Sequence, residues 1–172
     1  MTPEALRARQ APLKALYKED PAAAVVRLRA RGRVDQASVT CKLETGKAGV
    51  PVGLHPAAAG DGSAACSGDM LLEALVGCAG VTLAAVATAM GITLEDASVE
   101  AEGDVDFRGT LGVARDAPVG FANLSLTFTL RADVASDKLK KLVELSERYC
   151  VVLQTLAKPP TVNVQIVDGT RA

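Results

Sequence analysis

The chain has 172 residues, 49% hydrophobic and 23% charged, with ordinary glycine and proline counts; these proportions exclude a disordered or fibrous protein and fit one globular domain. With two tyrosines, three phenylalanines and no tryptophan, the core must be built from Val, Leu and Ala, packed closely and open to completion by a second subunit. The formal charge of −1 hides an asymmetry, since residues 1–33 carry eight Lys/Arg against three Asp/Glu and the remainder eleven against seventeen. That basic arm lacks the interleaved aromatics on which bases stack, which argues against nucleic acid.

"MTPEALRARQAPLKALYKED" contains no continuous apolar stretch of the kind a secretory signal needs, so a cytoplasmic location is expected. In a reducing compartment the four cysteines, at 41, 66, 78 and 150, read as free thiols, metal ligands or redox residues rather than as structural disulfides. The absence of any CxxC pair argues against structural zinc.

Leu6, Leu13 and Leu16 after Pro3 predict a short amphipathic helix over 3–17. The period then changes to two. Val26, Leu28 and Ala30 alternate with Arg27, Arg29 and Arg31, and Val39, Cys41 and Leu43 with Thr40, Lys42 and Glu44, which predicts two strands joined in a hairpin around "GRVDQ". The arginine row suits a solvated strand face, able to pair with the acidic row Glu100 to Asp106 further on. Residues 45–68 hold neither period and read as a loop, longer than most inside a compact domain. A helix over 69–90 follows, capped by Ser67 or Asp69 and closed by Gly91.

Beyond it, Val99, Ala101, Val105 and Phe107 alternate with acids, and "NLSLTFTLRAD" alternates Leu124, Leu126, Phe128 and Leu130 with polar residues, predicting two more strands. Ser136 caps a second helix running through "DKLKKLVELSERYCVVLQTL", with Leu139, Leu142, Val143, Cys150 and Leu153 on one face. "PPTVNVQIVDG" is predicted as a last strand with Val162, Val164 and Ile166 facing inward. Strands linked by hairpins, with two helices and no βαβ register, define an α+β fold.

The helix over 69–90 carries no charge from Ala74 to Met90. Its Ala, Gly and Thr content and the lack of flanking Lys/Arg make a core helix a better reading than a membrane span. Apolar on nearly all sides, it should be surrounded by protein. Gly77, Ala79, Gly80, Ala84 and Ala85 would let another backbone approach, as at a helix contact or a subunit interface. Cys78 lies in the middle of this surface, and by its residue type alone it reads equally as a small buried hydrophobe, as does Cys150.

"SGDMLLEALVGCAGVTLAAVATAMG" resembles the central helix of the OsmC/Ohr (osmotically inducible protein C and organic hydroperoxide resistance) family, where an acid-opened apolar helix carries the first catalytic cysteine. "LVELSERYCVVLQTL" resembles the family's second cysteine helix. The likeness covers roughly residues 24–168 and sets 1–23 apart as an N-terminal helical extension to an OsmC-like domain at 24–172. It implies an OsmC-like fold of antiparallel sheets with two central helices, assembled as an intertwined homodimer. It also implies a cofactor-free thiol peroxidase in oxidative stress defence: Cys78 attacks an organic hydroperoxide and becomes a sulfenic acid, Cys150 condenses with it to a disulfide, and a dithiol or lipoyl-type reductant restores both. The competing function on the same fold is a non-enzymatic module that binds a small hydrophobic or acyl ligand at the dimer interface.

A buried thiol needs help to ionise. In the family an arginine held by a carboxylate ahead of the helix supplies it, and Arg33, beside a glycine in "GRVD", is the matching candidate among Arg27, Arg29, Arg31 and Arg33. Two departures mark the chain as a divergent member. Gly68 stands where hydroperoxide-resistance proteins have a glutamate, with Asp69 one position late, and Val151 follows the second cysteine where proline is usual. Cys66, just outside the helix start, is a second candidate: an alternative resolving thiol, a more acidic thiol favoured by the helix dipole, or with His55 a ligand-binding pair that Cys78 would extend to a metal site.

Overall fold

The computed structural model of the chain describes residues 3–37, 40–43 and 52–166. In chain order these form α1 (Pro3–Glu19), β1 (Val25–Asp35), β2 (Thr40–Leu43), β3 (Val52–Gly53), β4 (Ala65–Cys66), α2 (Ser67–Ala89), β5 (Asp96–Asp106), α3 (Phe107–Thr110), β6 (Phe121–Arg131), α4 (Ser136–Tyr149) and α5 (Val151–Ala157). Short 3-10 turns stand at Pro21–Ala24 and Pro56–Ala58.

The period-two segments become one antiparallel sheet in the order β2-β1-β5-β6. The β1–β2 hairpin turns later than predicted. Gly32 to Asp35 all pair with β2, and Asp35 Oδ1 accepts the Ala37 N–H at 2.9 Å just beyond the strand. β1 and β5 register Arg27 opposite Asp104, Arg29 opposite Glu102 and Arg31 opposite Glu100. Arg29 Nε lies 2.6 Å from Glu102 and Arg27 Nε 3.4 Å from Asp104. The arginine row is therefore a surface ladder of cross-strand pairs, each contributing on the order of 0.2–1 kcal/mol. The loop predicted over 45–68 is partly ordered by the parallel pairing of β3 with β4, while 44–51 lie outside the described residues, as does Val39.

Facing away from those charges, Val99, Ala101 and Val105 of β5 are buried against α2. The helix presents Leu72, Leu75, Val76, Ala79, Leu83 and Ala87 to the core, the i, i+3, i+4, i+7 spacing of a single face. Each fully buried Leu contributes about 1.5–3 kcal/mol. α4 and α5 pack on the same helix, so the described residues form one long central helix and one antiparallel sheet, with a separate short parallel pair. The long helix has the length and composition to cross a membrane, yet its buried face is spent on β1, β5, α4 and α5.

Several expectations about helices and strands need correction. Burial of α2 is one-sided: Met70 and Val81, with Ala74 and Ala85, form an apolar face open at 44% and 40% for the first two. The helix cap is Cys66, which makes no side-chain capping bond, and Gly91 at φ +64° supplies the left-handed turn that ends it. The second helix is two helices, because Cys150 is extended (φ −72°, ψ 107°) between α4 and α5, and α4 is entered through Ala135 rather than Ser136.

The last strand differs most. Residues 159–166 are in no strand of the described chain, and Val162, Val164 and Ile166 are 78%, 86% and 95% exposed. Alternation specifies a two-faced extended segment, but it does not say which sheet edge receives it.

Candidate redox site at Cys78 and Cys150

α2 places Cys78 half-buried beside the core, and the break after α4 places Cys150 fully buried opposite it. The break has a local cause. Tyr149 ends the α4 ladder, the Cys150 N–H still bonds Ser146 O at 3.0 Å, and Cys150 Sγ then accepts the Leu153 N–H at 3.5 Å, acting as N-cap of α5. The first N–H groups of a helix have no carbonyl of their own helix to bond. Here the Val151 and Val152 N–H groups, the Cys150 thiol and the Thr82 hydroxyl act on the Cys78 sulfur, each lowering its pKa.

These donors separate the two thiols electrically. Burial alone would push Cys78 up, but the hydrogen bonds from Val152, Cys150, Val151 and Thr82 outweigh it and hold Cys78 below the usual thiol value. Burial, reinforced by its hydrogen bond with Cys78 and by the charge of that sulfur, pushes Cys150 up to about 11. In a pair pushed apart in this way the first sulfur is the one favoured as thiolate and the second the one favoured as thiol. Among the described residues, the groups that shift Cys78 include no arginine.

Arg33 lies in the interior of β1 rather than in a turn, opposite Ser98 and Lys42, and its guanidinium is 3.6 Å from Asp96. The Gly-Arg turn on which its selection rested is absent, because Gly32 and Arg33 both continue the sheet. Cys66, His55 and Asp69 gather elsewhere. Cys66 precedes Cys78 by twelve residues on one helix, about 18 Å of helical rise, far outside the 4.4–6.8 Å Cα separation of a disulfide. Within one chain Cys66 therefore does not resolve Cys78, and His55, Cys66 and Cys78 do not converge on a metal. Among the described residues no group of three His, Cys, Asp or Glu side chains is placed to hold one.

His55, Cys66 and Asp69 do share the wall of a cavity of about 330 Å³ with Glu73 and Arg29. Burial, and then the charge of Asp69, raise the Glu73 carboxyl above its usual range. Glu73, Thr82 and the Val151 and Val152 N–H groups escaped the sequence reading. For the two valines a signal existed: a β-branched pair directly after a cysteine is a poor helix interior and a plausible helix restart.

Removing one donor tests this arrangement. Proline fits the first position of a helix but has no N–H, so Val151→Pro should leave α5 in place and take one hydrogen bond from the Cys78 thiolate. Loss of a bond to the charged form raises a thiol pKa. The midpoint of the pH profile for Cys78 alkylation by iodoacetamide, followed by mass spectrometry, is expected to move upward by about half a unit or more; an unmoved midpoint would show that the Val151 N–H does not act on the sulfur.

Comparison with known proteins gives three findings. Residues 60–165 match the family model described as OsmC-like protein. The structure is similar to the crystal structure of an OsmC-like hydroperoxide resistance protein from Jannaschia sp. CCS1, with a TM-score of 0.57 and 19% sequence identity, over 85% of this chain and 95% of that one. No curated protein matches the chain.

Proposed function

Because the chain belongs to the OsmC-like protein family, we propose that it is a thiol-dependent peroxidase that reduces organic hydroperoxides through Cys78 and Cys150. One observation carries the reading: two thiols far apart in sequence act on each other, with the pKa of the first lowered by its hydrogen-bonding neighbours and that of the second raised by burial.

In the first step the Cys78 thiolate attacks the terminal peroxide oxygen. The S–O bond forms, the O–O bond breaks, sulfur is oxidised to sulfenic acid, and the alkoxide leaves with a proton as alcohol. In the second, the Cys150 sulfur displaces hydroxide from the Cys78 sulfenic acid; the thiol proton leaves with it as water, and a disulfide forms. An external dithiol then gives two electrons and two protons, returning both thiols and becoming a disulfide itself. The apolar neighbours of Cys78 favour a peroxide with an organic tail over hydrogen peroxide. Activation falls to the Val151 and Val152 N–H groups and Thr82, and Arg33 serves as a cross-strand ion pair. A cytoplasmic setting, where dithiol reductants are kept reduced, suits the cycle. The assay is consumption of cumene hydroperoxide in the presence of dihydrolipoamide; no consumption above the uncatalysed rate would refute the reading.

We also propose a homodimer. The open apolar face of α2 and the exposed alternation of Val162, Val164 and Ile166 are surfaces that a second copy would cover, the latter by adding a strand to the partner's sheet. Sedimentation is expected to give twice the chain mass of 17.7 kDa, and Val164→Lys with Ile166→Lys is expected to return a monomer. A monomer in the unaltered protein would exclude the assembly.

A further inference from the structure

A second concavity lies away from the two redox thiols, around the turn that carries His55. α1 braces this turn: Tyr17, 3% exposed, donates its hydroxyl to Ala57 O at 2.8 Å, and Gln10 Nε2 reaches Ala58 O at 3.5 Å. His55 is fixed twice, by the Ala57 N–H bonding its Nδ1 at 3.0 Å and by stacking on Phe107 with ring centroids 5.1 Å apart and 24° between planes. A neutral imidazole that accepts at Nδ1 carries its proton on Nε2, so the other edge of the ring is a hydrogen-bond donor.

Leu54, His55 and Cys66 form a wall common to two cavities. The charges sort to one side. Arg29, Asp69 and Glu73 line the cavity of about 330 Å³ described above. The other, about 390 Å³, is lined by Leu71, Val105, Phe107, Val119 and Phe121, and among the described residues no charged side chain lines it. The two charges that flank Phe107 are engaged with each other, since Asp106, 6% exposed, receives Arg108 Nε at 3.0 Å on both carboxylate oxygens. Gly103 contributes by omission: a Cβ there would stand 2.7 Å from Leu124 Cδ2 and collide with the Phe121 ring, so glycine lets that ring lie over β5.

We propose that this uncharged cavity is a binding site for a small neutral carbonyl compound with an aromatic or branched body, the body packed between Phe107 and Phe121 and the carbonyl oxygen accepting from His55. The volume suits it, being within the range of small-molecule sites of about 300–1,000 Å³. The wall selects against ions, because a charge brought in without a partner keeps its desolvation cost. About 18 Å of helical rise separates Cys66 on this wall from Cys78, so the site stands whether or not the redox pair turns over peroxide.

The probe is 4-phenylbutan-2-one, with 3-phenylpropanoate as a carboxylate of the same shape. Binding is read by chemical shifts of the Phe107 and Val119 amides and by the rate at which iodoacetamide labels Cys66 and Cys78, assigned by mass spectrometry. The ketone is expected to saturate with a dissociation constant of about a millimolar or tighter and to slow labelling of Cys66 but not of Cys78. The carboxylate should bind at least about tenfold more weakly, and His55→Ala should weaken the ketone about fivefold. Val119→Trp, at a position 67% exposed, or Leu71→Trp should block the cavity and abolish protection of Cys66. Absence of saturation, equal binding of ketone and carboxylate, protection that survives both Trp variants, or a cavity filled by a second copy of the chain would each overturn the proposal. Peroxide turnover enters none of these outcomes.

Discussion

A Cys78→Ser chain is expected to lose dithiol-dependent consumption of cumene hydroperoxide by at least about a hundredfold, because serine at neutral pH offers no anion to attack the O–O bond. Cys150→Ser should behave differently. Its Cys78 keeps the Val151 and Val152 N–H donors, so one equivalent of peroxide per chain should be consumed and the sulfenic acid should accumulate, trapped by dimedone on Cys78 and seen by mass spectrometry. Turnover should then fail for want of a resolving thiol. Consumption that persists in Cys78→Ser would remove the peroxidase reading, and equal losses in both variants with no trapped sulfenic acid would remove the division of roles. The pH dependence has a defined sign: the pKa of Cys78 is lowered in the folded chain, so its reactivity should rise with pH through a midpoint below that of the same thiol in the unfolded chain and level off above it. Cys150, pushed up to about 11, stays protonated throughout that range.

Leu83→Ala is expected to cost about 2–5 kcal/mol of folding stability, read as a fall in urea midpoint at unchanged slope. Leu83 is fully buried within the cluster formed by α2, the sheet and the helices on it, so its truncation leaves a cavity in the packing centre. Such a loss is a large part of the 5–15 kcal/mol that typical domains possess. Val81→Ala, on the open face of the same helix, should change the stability of a single chain by no more than about 0.5 kcal/mol. If Leu83→Ala were equally mild, α2 would not be the packing centre of the fold.

Much of this architecture could be read from the chain. β1, β5 and β6 are legible because each turns one face toward the helices, which imposes a period of two on consecutive residues, and α2 is legible as an uncharged run between a cap and Gly91. The arginine row was legible as a solvated face for the same reason, and its acidic partners were named correctly because the two rows share one period. The corrections all fall where local pattern is silent. One helix was predicted through Cys150, since apolar spacing continues across the break and only hydrogen bonding reveals it. Arg33 was selected from a turn that the strand pairing removed. The inward face of Val162, Val164 and Ile166 was read from alternation that has no strand partner within the described chain.

The sequence by itself determined an α+β chain with a small-residue apolar helix centred on Cys78, because side-chain periodicity is a property of neighbouring residues. Only the tertiary structure decided that Cys150 lies beside Cys78, that the Val151 and Val152 N–H groups lower the Cys78 pKa, and that Cys66 lines a different cavity with His55. Those outcomes depend on which distant segments are brought into contact and on which N–H groups a helix break leaves without an acceptor, and no local pattern encodes either.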